Sequence, residues 1–203
     1  KANLIIVNSN EFKREMKKKY GVDTITIFNP TNTKEIKKLS IYKKKINFFK
    51  KETVNLINVG RLVEQKNQIE ILQALIKLKN SLKNFRLLII GYGPKETHLR
   101  KFIKKFNLKK YVKIIFAKNP YKYIKMSDVF ISSSKFEGLP NVLLEAAYLN
   151  KYIISSDCKT GPNEILKEYK YGELYKINNI KELSLKIKKL NKIKLNSNRK
   201  NFS

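Results

Sequence analysis

Two glutamates, Glu137 and Glu145, flank seven residues in the stretch Phe136-Glu137-Gly138-Leu139-Pro140-Asn141-Val142-Leu143-Leu144-Glu145-Ala146-Ala147. Upstream, Gly60-Arg61-Leu62 is followed by Lys66, so two cations stand five residues apart. Both groups suit phosphate and sugar chemistry. A guanidinium and an ammonium can hold the two phosphates of a nucleoside diphosphate and stabilise the charge that develops as it leaves. A carboxylate at the mouth of an amide-rich pocket, with a second on the adjoining helix wall, can grip a sugar phosphate.

These residues need a strand, a turn and a helix to position them. Val129-Phe130-Ile131-Ser132 reads as a strand entering the glutamate stretch, and residues 139–149 read as the helix leaving it. Leu139, Val142, Leu143 and Ala146 fall at i, i+3, i+4 and i+7 and share one face. Pro140 suits a first helical turn, so the helix is expected to open close to Gly138 and to leave amides free for an anion. Glu137 then stands just before the N-terminus, and Glu145 on the polar side with Asn141 and Tyr148. Taken alone, an acid before a helix N-terminus is favourable without any further role.

The Glu-Gly-Leu-Pro-x-x-Leu-Leu-Glu-Ala setting resembles the signature of family 4 retaining glycosyltransferases. The resemblance implies a GT-B architecture, in which this chain carries the Rossmann-like C-terminal, donor-binding domain. By that resemblance Arg61 and Lys66 bind the diphosphate at the Gly60 turn, Glu137 faces the donor sugar, and Glu145 accepts the ribose hydroxyls. Gly138, Leu139, Pro140 and Asn141 complete the donor site. No cofactor and no metal are expected: Asp128 and Asp157 are isolated acids, and the basic pair does the work of a magnesium ion. The implied substrates are a UDP-sugar or another nucleoside-diphosphate sugar and a lipid-linked or saccharide acceptor. A catalytic histidine would belong to the N-terminal domain, which the resemblance places before residue 1.

The remaining chain reads as alternating strands and helices. Strands are expected at 4–7, 25–28, 54–59, 86–90, 112–116, 129–132 and 152–155, and helices at 11–20, 67–79, 96–106, 121–126 and 180–190. Such alternation predicts an α/β fold with a doubly wound parallel sheet. Residues 1–30 are expected to be a remnant of the N-terminal acceptor domain, 31–52 a linker with a short helix, 53–190 the nucleotide-sugar domain, and 191–203 a loose tail. Both ends thus read as truncated. Gly91-Tyr92-Gly93-Pro94 lacks the third glycine of a dinucleotide fingerprint, with Thr97 near that place, so it reads as a tight turn beside the ligand crevice. Gly161-Pro162 is expected to shape a second turn, with Glu164 capping the helix that follows. His98 reads as a solvated helix residue.

Composition bounds the partners. The chain has 203 residues, 42% hydrophobic, one cysteine and a formal net charge of +29. One cysteine, Cys158, excludes an internal disulfide and a cysteine-based zinc site, and points to a reducing, cytoplasmic compartment. The charge admits three readings: an A/T-rich coding bias, an anionic membrane surface that would hold the protein peripherally at the inner face, or nucleic acid. A nucleic-acid module, a dinucleotide-dependent oxidoreductase and an inactive degenerate fragment are the rival functions.

Overall fold

Runs such as Leu56-Ile57 and Leu87-Leu88-Ile89-Ile90 put apolar side chains on both faces of a strand, which only a sheet covered on both sides can bury. The computed structural model describes residues 2–41, 46–168 and 170–190, and it shows such a sheet. Strands β3 (Val54–Val59), β4 (Phe85–Ile90), β5 (Val112–Ile115), β6 (Val129–Ser132), β7 (Tyr152–Ser156) and β8 (Gly172–Tyr175) are all parallel, in the order β5-β4-β3-β6-β7-β8. Helices α3 (Gln68–Lys77), α4 (Glu96–Lys105), α5 (Tyr121–Met126), α6 (Asn141–Tyr148), α7 (Pro162–Glu168) and α8 (Ile180–Lys188) cover it.

Strand periodicity divides the core in two. Leu56, Leu87, Ile89, Ile131 and Ile154 pack with Ile71, Leu72 and Leu75 of α3, Leu99 of α4 and Leu183 of α8. Their chain neighbours Ile57, Leu88, Ile90, Phe130 and Ile153 face the other way, toward Ile124 of α5, Leu143 and Ala146 of α6 and Ile165 of α7. Each such large side chain stabilises the fold by about 1.5–3 kcal/mol relative to its exposed state. The expected doubly wound architecture is therefore present.

Its topology also fixes where a ligand can sit. From β3 the chain winds outward through β4 and β5, then returns to the other side of β3 as β6. At that reversal the connections after β3 and β6 diverge to opposite faces and open a crevice at the carboxyl ends of the strands.

Residues 2–30 form a small unit with a two-stranded sheet of its own. Strands β1 (Ile6–Val7) and β2 (Ile25–Thr26) pair in parallel across α1 (Asn10–Tyr20). Ser9 caps α1, its Oγ accepting from the Phe12 amide at 3.1 Å, and Gly21, at φ 67°, ends it as expected. In the linker, α2 (Thr33–Leu39) buries Ile36 against the second core cluster. The expected loose tail at 191–203 lies outside the described residues.

Two expectations need correction. Helix α6 begins at Asn141, not near Gly138: Pro140, at ψ 96°, is its extended N-cap. A proline also disfavours the helical conformation for the residue before it, which keeps Leu139 out of the helix. Between β7 and α8 the structure also holds α7 and the edge strand β8, where no strand was expected.

Candidate functional site

The two stretches with chemical potential meet in the crevice. After β3 the chain runs Gly60-Arg61-Leu62, turns through a short 3-10 segment (Glu64–Lys66), and enters α3 through Asn67 at φ 47°. The stem of Lys66 lies back across Gly60, its side-chain carbons 3.6–3.7 Å from where a Cβ would stand. Its Nζ then reaches Glu137 Oε1 at 2.5 Å. Both side chains are largely withdrawn from solvent, 19% and 8% exposed, so this is a buried ion pair rather than a surface contact. Arg61 is exposed, and its guanidinium makes no hydrogen bond or ion pair with any described residue.

Three loops hold this geometry. The Ser133 hydroxyl donates to the Lys66 carbonyl at 2.9 Å, the Lys135 amide to the Gln65 carbonyl at 2.8 Å, and the Gln65 side-chain amide to the Phe136 carbonyl at 2.8 Å. Glu64 bridges Lys95 and Lys135, which holds its carboxyl down at about 2. The β4–α4 turn packs so tightly under this layer that a Cβ on Gly91 would stand 1.9 Å from the Gly60 carbonyl oxygen. Gly93, at φ 151°, would place one 2.5 Å from the Leu62 oxygen. The glycine pair therefore supports the crevice floor, in keeping with its reading as a tight turn.

On the far side, the Thr160 hydroxyl donates to the Glu137 carbonyl. Gly161, at φ 100°, packs where a Cβ would meet Pro140 Cδ at 2.4 Å and the Gly138 oxygen at 2.5 Å. Cys158 is buried nearby. Burial, together with the charge of Glu137, pushes its thiol up to about 11, so it stays protonated and inert.

Glu145 stands on α6, half-buried, and accepts a hydrogen bond from the Tyr121 hydroxyl at 3.2 Å through Oε1. Burial raises its carboxyl above the usual carboxylate range, partly offset by that hydrogen bond. The Tyr121 hydroxyl is itself pushed up to about 12, by burial and then by the neighbouring carboxylate, and remains a donor. Sequence reasoning missed Tyr121. It lies 24 residues away on another helix, and an aromatic in an amphipathic segment gives no sign that its hydroxyl meets a carboxylate.

The other expected site residues divide. Gly138 is exposed at the crevice, whereas Leu139 and Pro140 are buried. Asn141 is turned toward the N-terminal unit, its Oδ1 accepting from Asn29 Nδ2 at 2.8 Å. Glu164 does not cap the helix it belongs to. Its carboxylate accepts from the Asn10 amide at 3.0 Å, the Glu11 amide at 3.3 Å and Asn10 Nδ2 at 2.8 Å, and so caps α1. The amides of a helix's first turn have no partners within the helix and take up a nearby carboxylate. His98 is exposed on α4. Among the described residues no three His, Cys, Asp or Glu side chains gather as a metal site, and no helix is long and apolar enough to cross a membrane. A concavity of about 910 Å³ opens between the first 31 residues and helices α6 and α7, lined by Arg14, Phe28, Leu144 and Glu164 but by none of Arg61, Lys66, Glu137 or Glu145.

A Rossmann-like sheet with cations and carboxylates converging at its switch point is the layout of a nucleotide-handling transferase domain. Residues 40–203 match the family described as Glycosyl transferases group 1, and the chain belongs to that family. It is 39% identical to an uncharacterized glycosyltransferase of Methanocaldococcus jannaschii, over 81% of this chain and 42% of the relative. It is 34% identical to the N-acetylgalactosamine-N,N'-diacetylbacillosaminyl-diphospho-undecaprenol 4-alpha-N-acetylgalactosaminyltransferase of Campylobacter jejuni, over 61% of this chain and 33% of that protein. The chain thus spans less than half the length of these relatives. Among solved structures, a variant of S. aureus TarM in complex with Fondaparinux, alpha-GlcNAc-glycerol and UDP superposes with a TM-score of 0.80 at 21% identity, over 98% of this chain and 40% of the other. At that identity the likeness shows the fold, which is the GT-B type.

Proposed function

We propose that this chain is the donor-binding half of a family 4 retaining glycosyltransferase that uses a UDP-sugar, in the synthesis of surface polysaccharide or lipid-linked oligosaccharide. The observation that carries the reading is the meeting of Lys66 and Glu137 at the switch point, with Arg61 unpaired beside them. An ammonium has three donors, so Lys66 can keep one on Glu137 and turn the others to a phosphate oxygen. Arg61 offers a free planar fork to the same diphosphate. Together they stabilise the negative charge that grows on the leaving nucleotide. Glu137, held by Lys66, faces the sugar. Retention then proceeds either by attack of the acceptor on the leaving-group face or through a covalent intermediate on Glu137, with an oxocarbenium-like transition state in both. Glu145 has one oxygen not engaged by Tyr121, and that oxygen accepts from the ribose hydroxyls in this reading.

Two further parts of the proposal concern surroundings. The acceptor is a saccharide or a lipid-linked oligosaccharide, a reading supported by the diphospho-undecaprenol in the name of the Campylobacter relative. A net charge of +29 favours work at the anionic cytoplasmic face of a membrane. The donor half requires no metal, because two cations already stand where the diphosphate would lie.

The test is calorimetric titration of the chain with UDP in the presence of a chelator. Binding is expected without a divalent ion, and Arg61→Ala should weaken it by about 1.5–3 kcal/mol, the range for a hydrogen bond to a charged group. Binding that requires magnesium, or that survives Arg61→Ala unchanged, would remove the diphosphate role.

A further inference from the structure

Asn8 lies outside every stretch so far given a chemical role, yet the fold brings it to the donor site. It occupies the junction between β1 and α1, and its carboxamide lies against Gly138: a Cβ there would stand 3.3 Å from Asn8 Nδ2 and 3.5 Å from Oδ1. Gly138 directly follows Glu137, the carboxylate held by Lys66. The lack of a side chain at 138 is therefore what lets the carboxamide approach the signature loop.

Its backbone is fixed on both sides. The Val7 carbonyl accepts from the Ile27 amide at 2.9 Å, and Ser9, fully buried, caps α1 through its hydroxyl. The whole unit is then clasped to the sheet domain in two directions. Glu164 of α7 caps the N-terminus of α1, and Glu11 of α1 accepts from the Gly161 amide at 2.9 Å, just before α7 begins. Gly161 in turn packs on Gly138 and Pro140. Asn8, Gly138 and Gly161 thus belong to one tightly packed knot, and the placement of Asn8 does not depend on a mobile side chain elsewhere.

Within this rigid setting the Asn8 carboxamide makes no hydrogen bond to any described residue. Nearby asparagines behave otherwise: Asn10 and Asn29 both spend their side chains on protein partners. A half-buried carboxamide offers two donors and two acceptor lone pairs. That combination is matched in full by vicinal sugar hydroxyls, which donate and accept at once, whereas a phosphate, which only accepts, would use the two donors alone. We propose that Asn8 is a specificity-determining residue that hydrogen-bonds hydroxyls of the donor sugar, and that Glu11 and Glu164 are positioning residues that hold it there. This inference rests on the donor-site reading above. It makes the first 30 residues part of the donor pocket as well as of the acceptor half.

The test compares the affinity of the 203-residue chain for UDP with its affinity for UDP-glucose, UDP-N-acetylglucosamine and UDP-N-acetylgalactosamine. Asn8→Ala should leave UDP binding unchanged and weaken the best-bound UDP-sugar roughly tenfold, as expected for loss of a hydrogen-bonding partner to a desolvated hydroxyl. Glu164→Ala should produce the same selective loss, because α1 loses its cap and Asn8 its register. Retained UDP affinity shows that each variant is folded. An unchanged ratio of UDP-sugar to UDP affinity in Asn8→Ala overturns the inference and leaves the donor site standing. Equal losses for UDP and UDP-sugar overturn it too, since Asn8 would then matter only to the fold. Absence of UDP binding by the parent chain removes the donor-site reading and this inference with it.

Discussion

Lys66 has a structural duty that can be separated from the diphosphate role proposed for it. Paired with a carboxylate that is 8% exposed, it neutralises a charge the fold has taken out of water. Removing one partner of such a pair strands the other, at a cost of about 3–5 kcal/mol. Lys66→Ala is therefore expected to lower the urea midpoint sharply, whereas Arg61→Ala, at an exposed and unpaired position, should change stability by no more than about 0.5 kcal/mol. Equal midpoints for the two variants would contradict the buried pair. Glu145 offers a second residue-scale expectation. Its carboxyl is raised by burial, and in the proposed donor site the ionised form is the stronger acceptor for ribose hydroxyls. UDP affinity should thus weaken as pH falls through that raised value, and Glu145→Gln should remove the dependence. A titration series across the acid range in both proteins checks it.

At the scale of elements, α3 carries a burden unrelated to the donor site. Glu70 is 2% exposed, with Oε2 accepting from Asn67 Nδ2 at 2.8 Å. Tyr175 of β8 faces it closely enough to offset part of the burial effect, although neither Glu70 Oε1 nor the Tyr175 hydroxyl has a partner within hydrogen-bond geometry. Burial pushes the Glu70 carboxyl up from 4.5 to about 7. The folded state then holds its proton over a range where the unfolded chain has released it. Stability is full below pH 4.5 and falls as pH rises to about 7, a loss of roughly 3 kcal/mol at most. Glu70→Gln stays neutral throughout. It should be more stable than the parent above that window and show little difference below it, as read from urea unfolding at the two extremes.

The same scale explains what could be read from residues alone. Strands buried on both faces, such as β4 and β6, announce themselves by apolar runs, and α3, α4 and α8 by one apolar stripe each. Gly60-Arg61, Lys66 and the two glutamates were legible because their types and spacing fit a known signature. Edge strand β8 was not: Gly172-Glu173-Leu174 is only half-buried, and Glu173 is taken up by Tyr152 and Lys186 rather than by solvent. A sequence pattern cannot distinguish that from a loop. Long-range polar contacts were equally hidden. Glu164 reaches back 154 residues to Asn10, and no local rule links the two.

For the whole molecule, the small unit of β1, α1 and β2 leaves much of its apolar surface uncovered. Ile6 pairs with Ile25 in register, and both are about half exposed, as are Leu4, Ile27 and Phe28. In a two-domain transferase, donor and acceptor are held by facing walls, and positioning of the two supplies about 7–11 kcal/mol of the barrier reduction. In the function proposed above, the sheet domain is the donor wall, and β1, α1 and β2 belong to the other. The chain is therefore expected to bind nucleotide without sustained transfer. A longer polypeptide that supplies the preceding half should restore turnover, which Glu137→Gln should then largely abolish. Sustained transfer by these 203 residues would show that no second wall is needed.

The switch-point arrangement also has a kinetic consequence. Lys66 and Glu137 are 71 residues apart in the chain, and β6, the other neighbour of β3, follows β4 and β5 in sequence. Closing so long a loop is entropically unfavourable until the whole interface forms to offset it. During refolding, the β3–β4 ladder can form from sequence-near pieces well before the crevice exists. Competence to capture a nucleotide should consequently trail the recovery of secondary structure. The donor pocket then becomes a reporter of the last large docking event, the one that seats β6 against β3.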